Sequence, residues 1–358
     1  MAKGDWMSEF EIVIGPMRAG KTTYCKSKTD SVFISYDDLV IPCWMCNLEF
    51  SKLANHVACR LKDNPNKNFI IDGWYSSYNK DPKTILTLKN LVPQHIKITV
   101  FYAPVELLLK RNDSAEVKNT IEEILRTYKD IIEWYKNELV DIDFEFRDSN
   151  NVYSFSEFMK RVRNDMLTAS PLDVDTFLSY LSVQAHDRYY QSINLPFEKS
   201  IKGYERTELT WPIIEKTVNF RGKTMLDVGC YHAYTCFSAE DCGVKEVTGV
   251  DRCVQAIDIA NKLKIMWNYK TDFVLADIDT WTPTKKYDIV ICFNTIQYPT
   301  NTKEAVRKLF DAGDLVIFEA HEKFKPIFDD QNTHDLIRIE ESPRWRDLKR
   351  LIYYYKHK

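Results

Sequence analysis

Two groups of residues in this 358-residue sequence have types and spacings that could do chemistry. The first is Gly15-Pro16-Met17-Arg18-Ala19-Gly20-Lys21-Thr22-Thr23, which follows the apolar run Phe10 to Ile14. A G-x-x-x-x-G-K-T spacing between a strand and a helix describes a loop that cradles phosphates. Gly15 and Gly20 leave room for backbone N–H groups to close around phosphate oxygens. Lys21 brings a charge to the β- and γ-phosphates, and the Thr22 hydroxyl suits a Mg²⁺ ion. The whole stretch, Met17, Arg18, Ala19 and Thr23 included, is therefore expected to hold ATP. Two further acids fall after strand-like runs, Asp37 in Ser35-Tyr36-Asp37-Asp38 and Asp72 in Ile70-Ile71-Asp72-Gly73. Both belong at the carboxyl edge of a sheet, where open α/β folds bind ligands. Asp37 could take the proton of an attacking hydroxyl, and Asp72 could join the Mg²⁺ shell or bind substrate.

The second group begins at Leu226-Asp227-Val228-Gly229-Cys230 and continues with Val247-Thr248-Gly249-Val250-Asp251. A strand ending in a glycine turn, a helix, and a second strand closed by an acid make the nucleotide-binding half of a Rossmann-like fold. Asp251 is placed to bind ribose hydroxyls. Leu275-Ala276-Asp277-Ile278 puts a carboxylate where an adenine amine would lie, and Tyr287 to Asn294 supplies the strand facing the reacting centre. Asp227 before the glycine turn, with a closing hairpin at the end of the chain, favours S-adenosylmethionine over NAD. Asn294, Tyr298 and His321 are candidates for a base.

These groups need parallel sheets beneath them. Apolar runs at Phe10 to Ile14, Val32 to Ser35, Asn68 to Ile71, Ile96 to Tyr102 and Asp143 to Phe146 alternate with amphipathic stretches, among them Leu53, Val57 and Leu61, and Ile121 to Tyr135. The alternation restarts at Lys223, with strands expected at Met225 to Asp227, Glu246 to Val250, Phe273 to Leu275, Tyr287 to Phe293 and Asp314 to Glu319. Leu336 to Glu340 and Leu351 to Tyr355 read as an antiparallel hairpin. Such strand-helix alternation specifies helix-covered parallel sheets. The expected fold class is α/β with two doubly wound domains, at 8–150 and 206–358, joined by a mostly helical connector at 151–205.

The length alone favours two cores. With 49 basic against 52 acidic residues, no global positive field advertises nucleic acid, so any such contact is local. The tail interleaves Arg344, Arg346, Lys349, Arg350, Lys356 and Lys358 with Trp345, Tyr353, Tyr354 and Tyr355, and it reads as a solvated edge strand. Nothing approaches a membrane span or a secretory leader, and the nine cysteines lack framework spacing. A cytoplasmic enzyme without membrane contact is expected. Cys43, Cys46, His56 and Cys59 could form a zinc site, although small buried residues are the more ordinary use of cysteine.

Ala103-Pro104-Val105-Glu106-Leu107-Leu108-Leu109-Lys110-Arg111-Asn112, taken with the phosphate loop and Asp37-Asp38, resembles the polynucleotide 5′-hydroxyl kinases over about residues 8 to 140. The resemblance implies a P-loop kinase in which Asp37 is the general base and Arg111 a lid arginine. Val40 stands where that family carries a phosphate-gripping arginine, and Ala115 where it carries a second lid arginine. The Gly-Pro-Met wording is also similar to thymidine kinases. From about 200 to 358 the chain resembles class I S-adenosylmethionine-dependent methyltransferases. Gly203 to Trp211 is similar to the enzymes that modify tRNA wobble uridine, which implies Arg206 near cofactor or substrate. Tyr231-His232-Ala233 departs from the small, flexible sequence usual after the turn, and Tyr298 stands where a histidine often follows the fourth strand. The resemblance makes Arg206, Asp227, Gly229, Cys230, Asp251, Asp277, Ile278 and Asn294 the cofactor-binding set. Together these readings describe a kinase fused to a methyltransferase acting on a nucleic acid or nucleotide. The alternatives are a nucleoside or sugar substrate, or a methyltransferase-like domain that only binds its cofactor.

Overall fold

The computed structural model describes residues 8–16, 19–35, 66–72, 82–92, 94–111, 120–167, 171–184, 189–204, 207–343 and 350–358. Met17, Arg18, Asp37, Val40, Ala115 and Arg206 lie outside the described residues, as do the four zinc candidates and the 344–349 part of the tail. The chain divides into two compact units, Met1–Asp165 and Met166–Lys358. Among the described residues no helix is long and apolar enough to cross a membrane.

The first unit is built on β1 (Glu9–Ile14), β2 (Ser31–Ser35), β3 (Asn68–Asp72), β4 (His95–Phe101), β5 (Asp143–Arg147) and β6 (Val152–Tyr153), in the spatial order β2-β3-β1-β4-β5-β6. All neighbours run parallel except β5 and β6. Phe10, Ile12, Val13 and Ile14 are all fully buried, as a strand covered on both faces requires. Its described helices are α1 (Lys21–Ser27), α2 (Lys83–Leu91), α3 (Val105–Lys110), α4 (Ile121–Glu133) and α5 (Phe155–Asp165). Thr120 and Glu123 form a reciprocal capping box that starts α4.

Tyr128 on α4 then reaches Ala103, where β4 ends. Its hydroxyl donates to the Ala103 carbonyl at 2.7 Å and accepts from the Ala103 N–H at 2.9 Å. One side chain thus satisfies both backbone groups at the turn into α3, the helix that leads to Arg111. The first helix of the expected connector, α5, packs within this unit, with Phe158 stacked on Phe146 of β5 at 4.7 Å.

The second unit contains α6 (Pro171–Gln184), a short hairpin of β7 (Ile193–Asn194) and β8 (Ser200–Ile201), α7 (Thr207–Thr217), and a seven-stranded sheet. The sheet strands are β9 (Thr224–Val228), β10 (Glu246–Asp251), β11 (Asp272–Leu275), β12 (Tyr287–Phe293), β13 (Gly313–His321), β14 (His334–Glu341) and β15 (Arg350–His357). Their order is β11-β10-β9-β12-β13-β15-β14, with β15 antiparallel to both neighbours and the rest of the sheet parallel. Helices α8 (Tyr234–Asp241), α9 (Val254–Trp267), α10 (Thr302–Ala312) and α11 (Lys325–Asp329) complete it.

The expected edge strand at the tail is corrected here. β15 is interior, and Tyr353, Tyr354 and Tyr355 are buried because consecutive residues face opposite sides of a sheet covered on both. The Tyr354 and Tyr355 hydroxyls donate to Glu340 and Asp329 at 2.9 and 2.6 Å. The edge is β14, where Ile337 and Ile339 are exposed.

Tyr128→Phe should cost the first unit roughly 1–3 kcal/mol, the penalty for stranding buried backbone groups. Urea unfolding followed by circular dichroism measures this; a loss below about 0.5 kcal/mol would show that the hydroxyl is not what holds the end of β4.

Candidate functional site

In the second unit β10 and β11 lie on one side of β9, and β12 lies on the other. Successive connections therefore diverge beyond the carboxyl end of β9, and a crevice opens where open α/β sheets bind ligands. The cleft found there has a volume of about 330 Å³. Asp227, Gly229, Asp251, Asp277, Ile278 and Asn294 all line it, so six of the expected residues meet at one place.

The turn after β9 explains why glycine is needed. Gly229 has φ 83°, its N–H donates to the Val250 carbonyl at 2.8 Å, and a Cβ there would lie 1.8 Å from Thr295 Oγ1. Tyr231 and Ala233 continue the turn in left-handed conformation, at φ 49° and 67°. An αL backbone costs a non-glycine residue, so this path is imposed by its neighbours. Asp251 holds it: one carboxylate oxygen accepts from Tyr231 N–H at 2.9 Å and the other from Cys253 N–H at 2.8 Å.

Asp227 is 2% exposed, and its carboxylate accepts from the Cys236 thiol at 3.3 Å. Burial pushes its pKa up to about 7, outweighing the opposing effect of the Cys236 hydrogen bond. His232 is likewise buried, which lowers its pKa to about 3 and keeps the imidazole neutral. Cys230 is buried as well, and its N–H is used by the Val250 carbonyl, so it shapes the turn. His321 lies outside the cleft lining; its Nδ1 accepts the Lys323 N–H at 3.1 Å and caps a short turn.

Several contributors were not apparent from motifs. Arg252 pairs with Asp277 at 3.3 Å. Lys308, from α10, is buried and donates to the carbonyls of Ile278, Asp279 and Trp281 at 2.8, 3.2 and 2.9 Å, fixing the loop that carries Asp277. Tyr190 and Tyr204 are brought together by the Tyr204 N–H, which donates to the Tyr189 carbonyl at 2.9 Å. Their rings meet edge-on at 5.3 Å, and Tyr190 meets Tyr231 at 5.5 Å. The tyrosine-rich wording of the region was the only signal.

In the first unit the described part of the loop after β1 turns at two glycines. Gly15 has φ 139° and a Cβ there would lie 2.5 Å from the Phe101 carbonyl oxygen, while Gly20 is left-handed at the start of α1. Lys21 Nζ donates back to the Gly15 and Pro16 carbonyls at 2.9 and 2.7 Å. Burial lowers the Lys21 pKa to about 8 against the opposing charge of Asp72. Thr22 Oγ1 donates to Asp72 Oδ2, so the two expected Mg²⁺-shell residues are in contact. Arg111 follows α3 on the surface. Among the described residues no group of histidine, cysteine or acidic side chains could hold a metal by itself.

Comparison with known proteins bears on the second unit. Residues 204–346 match the family model of a methyltransferase domain, so this part of the chain is one. Among solved structures, the chain is similar to the N-methyltransferase NodS from Bradyrhizobium japonicum WM9, at 15% identity over 43% of this chain and 96% of that one, TM-score 0.36. It is also similar to magnesium protoporphyrin IX methyltransferase (ChlM) from Synechocystis PCC 6803, at 20% identity over 42% and 76%, TM-score 0.35. A third is a Pyrococcus horikoshii protein provisionally named an RNA methyltransferase, at 18% identity over 42% and 82%, TM-score 0.36. No curated protein sequence matches the chain.

Because the Asp227 pKa is raised, the folded second unit holds a proton that the unfolded chain releases between pH 3.8 and about 7. Its stability therefore falls as pH rises through that window. Asp227→Asn should flatten this dependence in urea melts at pH 5 and 7.5; an unchanged slope would contradict the buried neutral carboxyl.

Proposed function

We propose that the chain is a bifunctional enzyme in which the N-terminal unit phosphorylates a hydroxyl with ATP and the C-terminal unit methylates with S-adenosylmethionine. The substrate is a nucleic acid or nucleotide. The observation that carries the methyl-transfer half is the Gly229 turn beside Asp251 in the cleft lining, a turn that closes against Thr295 only because no Cβ is present. Asp251 keeps unused acceptor capacity after its two N–H bonds, which suits ribose hydroxyls, and Asp277 suits an adenine amine. S-adenosylmethionine, when bound, supplies a methyl group on a sulfonium. Transfer from it depends on alignment and exclusion of water. The aromatic lining of Tyr190, Tyr204 and Tyr231 serves the second requirement.

Support for the phosphotransferase half is the Lys21 ammonium, half-buried in a loop of the right spacing and held by two carbonyls that a phosphate would replace. Thr22 and Asp72 would hold Mg²⁺, whose charge offsets that of ATP's phosphates. Their mutual hydrogen bond keeps both oxygens at one point before any metal arrives. Asp37 as base and Arg111 as lid arginine complete the reading, both by the kinase resemblance. The nucleic-acid acceptor follows from the same source, since the motif resemblances of both units lead to polynucleotide-modifying families.

Incubation with γ-labelled ATP, methyl-labelled S-adenosylmethionine and a panel of RNA, DNA and nucleosides tests both halves. Lys21→Ala should abolish phosphoryl transfer and leave methyl transfer within about twofold. Wild-type protein that labels no acceptor with either group would remove the bifunctional reading.

A further inference from the structure

Asn294 closes β12 with a backbone that few residues adopt, φ 57°, and is 5% exposed. Three contacts fix it. Its N–H donates to the Glu319 carbonyl at 2.9 Å, and its own carbonyl accepts from Gln297 Nε2 at 3.1 Å. The Gln297 amide oxygen in turn accepts from Arg350 Nη1 at 3.1 Å, so the last strand of the sheet reaches back to this corner. Asn294 Nδ2 donates to the Tyr190 hydroxyl at 3.1 Å. That leaves Oδ1, a buried amide oxygen with no hydrogen-bond partner among the described residues. A buried acceptor left unmade is costly, and it is a strong pointer to a group that arrives from outside.

Asn294 lines the cleft on the β12 side, across β9 from Asp251 and Asp277. Aromatic surface surrounds it there: Tyr190 touches it, and Tyr204 and Tyr298 line the cleft while remaining 59% and 61% exposed. Exposed tyrosine faces around one orphaned acceptor suit a flat ring that carries an N–H at its edge. An amide is too weak a base to take a proton, so Asn294 reads the acceptor rather than deprotonating it.

We propose that Asn294 Oδ1 accepts a hydrogen bond from an N–H of a planar nitrogen heterocycle, the methyl acceptor, stacked against the tyrosines of the cleft. Arg350 and Gln297 are its positioning residues. The proposal rests on the C-terminal unit binding S-adenosylmethionine and names the chemical class of its acceptor. A site built to pair with a donor discriminates strongly against the analogue lacking it.

The test is equilibrium dialysis of the full chain, saturated with S-adenosylhomocysteine, against labelled uridine and cytidine and their N-methylated counterparts, 3-methyluridine and N4,N4-dimethylcytidine. At least one parent nucleoside should bind tenfold or more tightly than its methylated counterpart. Asn294→Gly, which keeps the left-handed backbone, should erase that preference, and Asn294→Asp, which keeps an acceptor oxygen, should retain it. S-adenosylhomocysteine affinity should be unchanged in both variants. Absence of nucleoside binding, equal binding within each pair, or a preference that survives Asn294→Gly or disappears in Asn294→Asp overturns the proposal. A drop in S-adenosylhomocysteine affinity in Asn294→Gly would assign the residue to the cofactor instead. Wild-type protein that does not bind S-adenosylhomocysteine would remove the underlying methyl-transfer reading.

Discussion

Both candidate sites depend on a glycine that leaves no room for a side chain. A Cβ on Gly15 would lie 2.5 Å from the Phe101 carbonyl oxygen, and one on Gly229 would lie 1.8 Å from Thr295 Oγ1. Each glycine directly follows a parallel strand, where the chain turns away at the sheet's carboxyl edge. What surrounds the two turns differs, and so does the chemistry. Around Gly15 the neighbours are a lysine ammonium and a hydroxyl-carboxylate pair. Around Gly229 they are a carboxylate holding two N–H groups and a wall of tyrosines.

Burial sets the protonation states in both places, in opposite senses for opposite charges. The Lys21 pKa falls to about 8 and that of Asp227 rises to about 7, because each charged form loses water. A phosphate beside Lys21 would raise its pKa again, so ligand binding and protonation are coupled at that loop. His232, held neutral by the same effect, contributes shape to the turn and no charge.

The parallel strands were legible because strands covered on both faces are nearly continuous apolar runs, and the glycine-centred motifs were legible because their spacing is local. β15 was misread for a physical reason: its flanks are basic, yet its three tyrosines are buried on both faces, with the Tyr354 and Tyr355 hydroxyls satisfied by Glu340 and Asp329. The roles of Lys308 and Arg350 could not be read at all. Lys308 reaches carbonyls 27 to 30 positions away, and Arg350 reaches Gln297 at a separation of 53, contacts that exist only once the sheet is assembled. The orphaned oxygen of Asn294 is likewise a property of the fold. The sequence marked the residue, and its surroundings gave it a task.

Calorimetric titration with ATP·Mg²⁺ and, separately, with S-adenosylmethionine tests the two-site account most directly. Wild-type protein is predicted to bind each ligand at one-to-one stoichiometry. Lys21→Ala should lose the first ligand alone, and Asp251→Ala the second alone. A folded variant of either kind that loses both ligands, or wild-type protein that binds neither, would contradict the account.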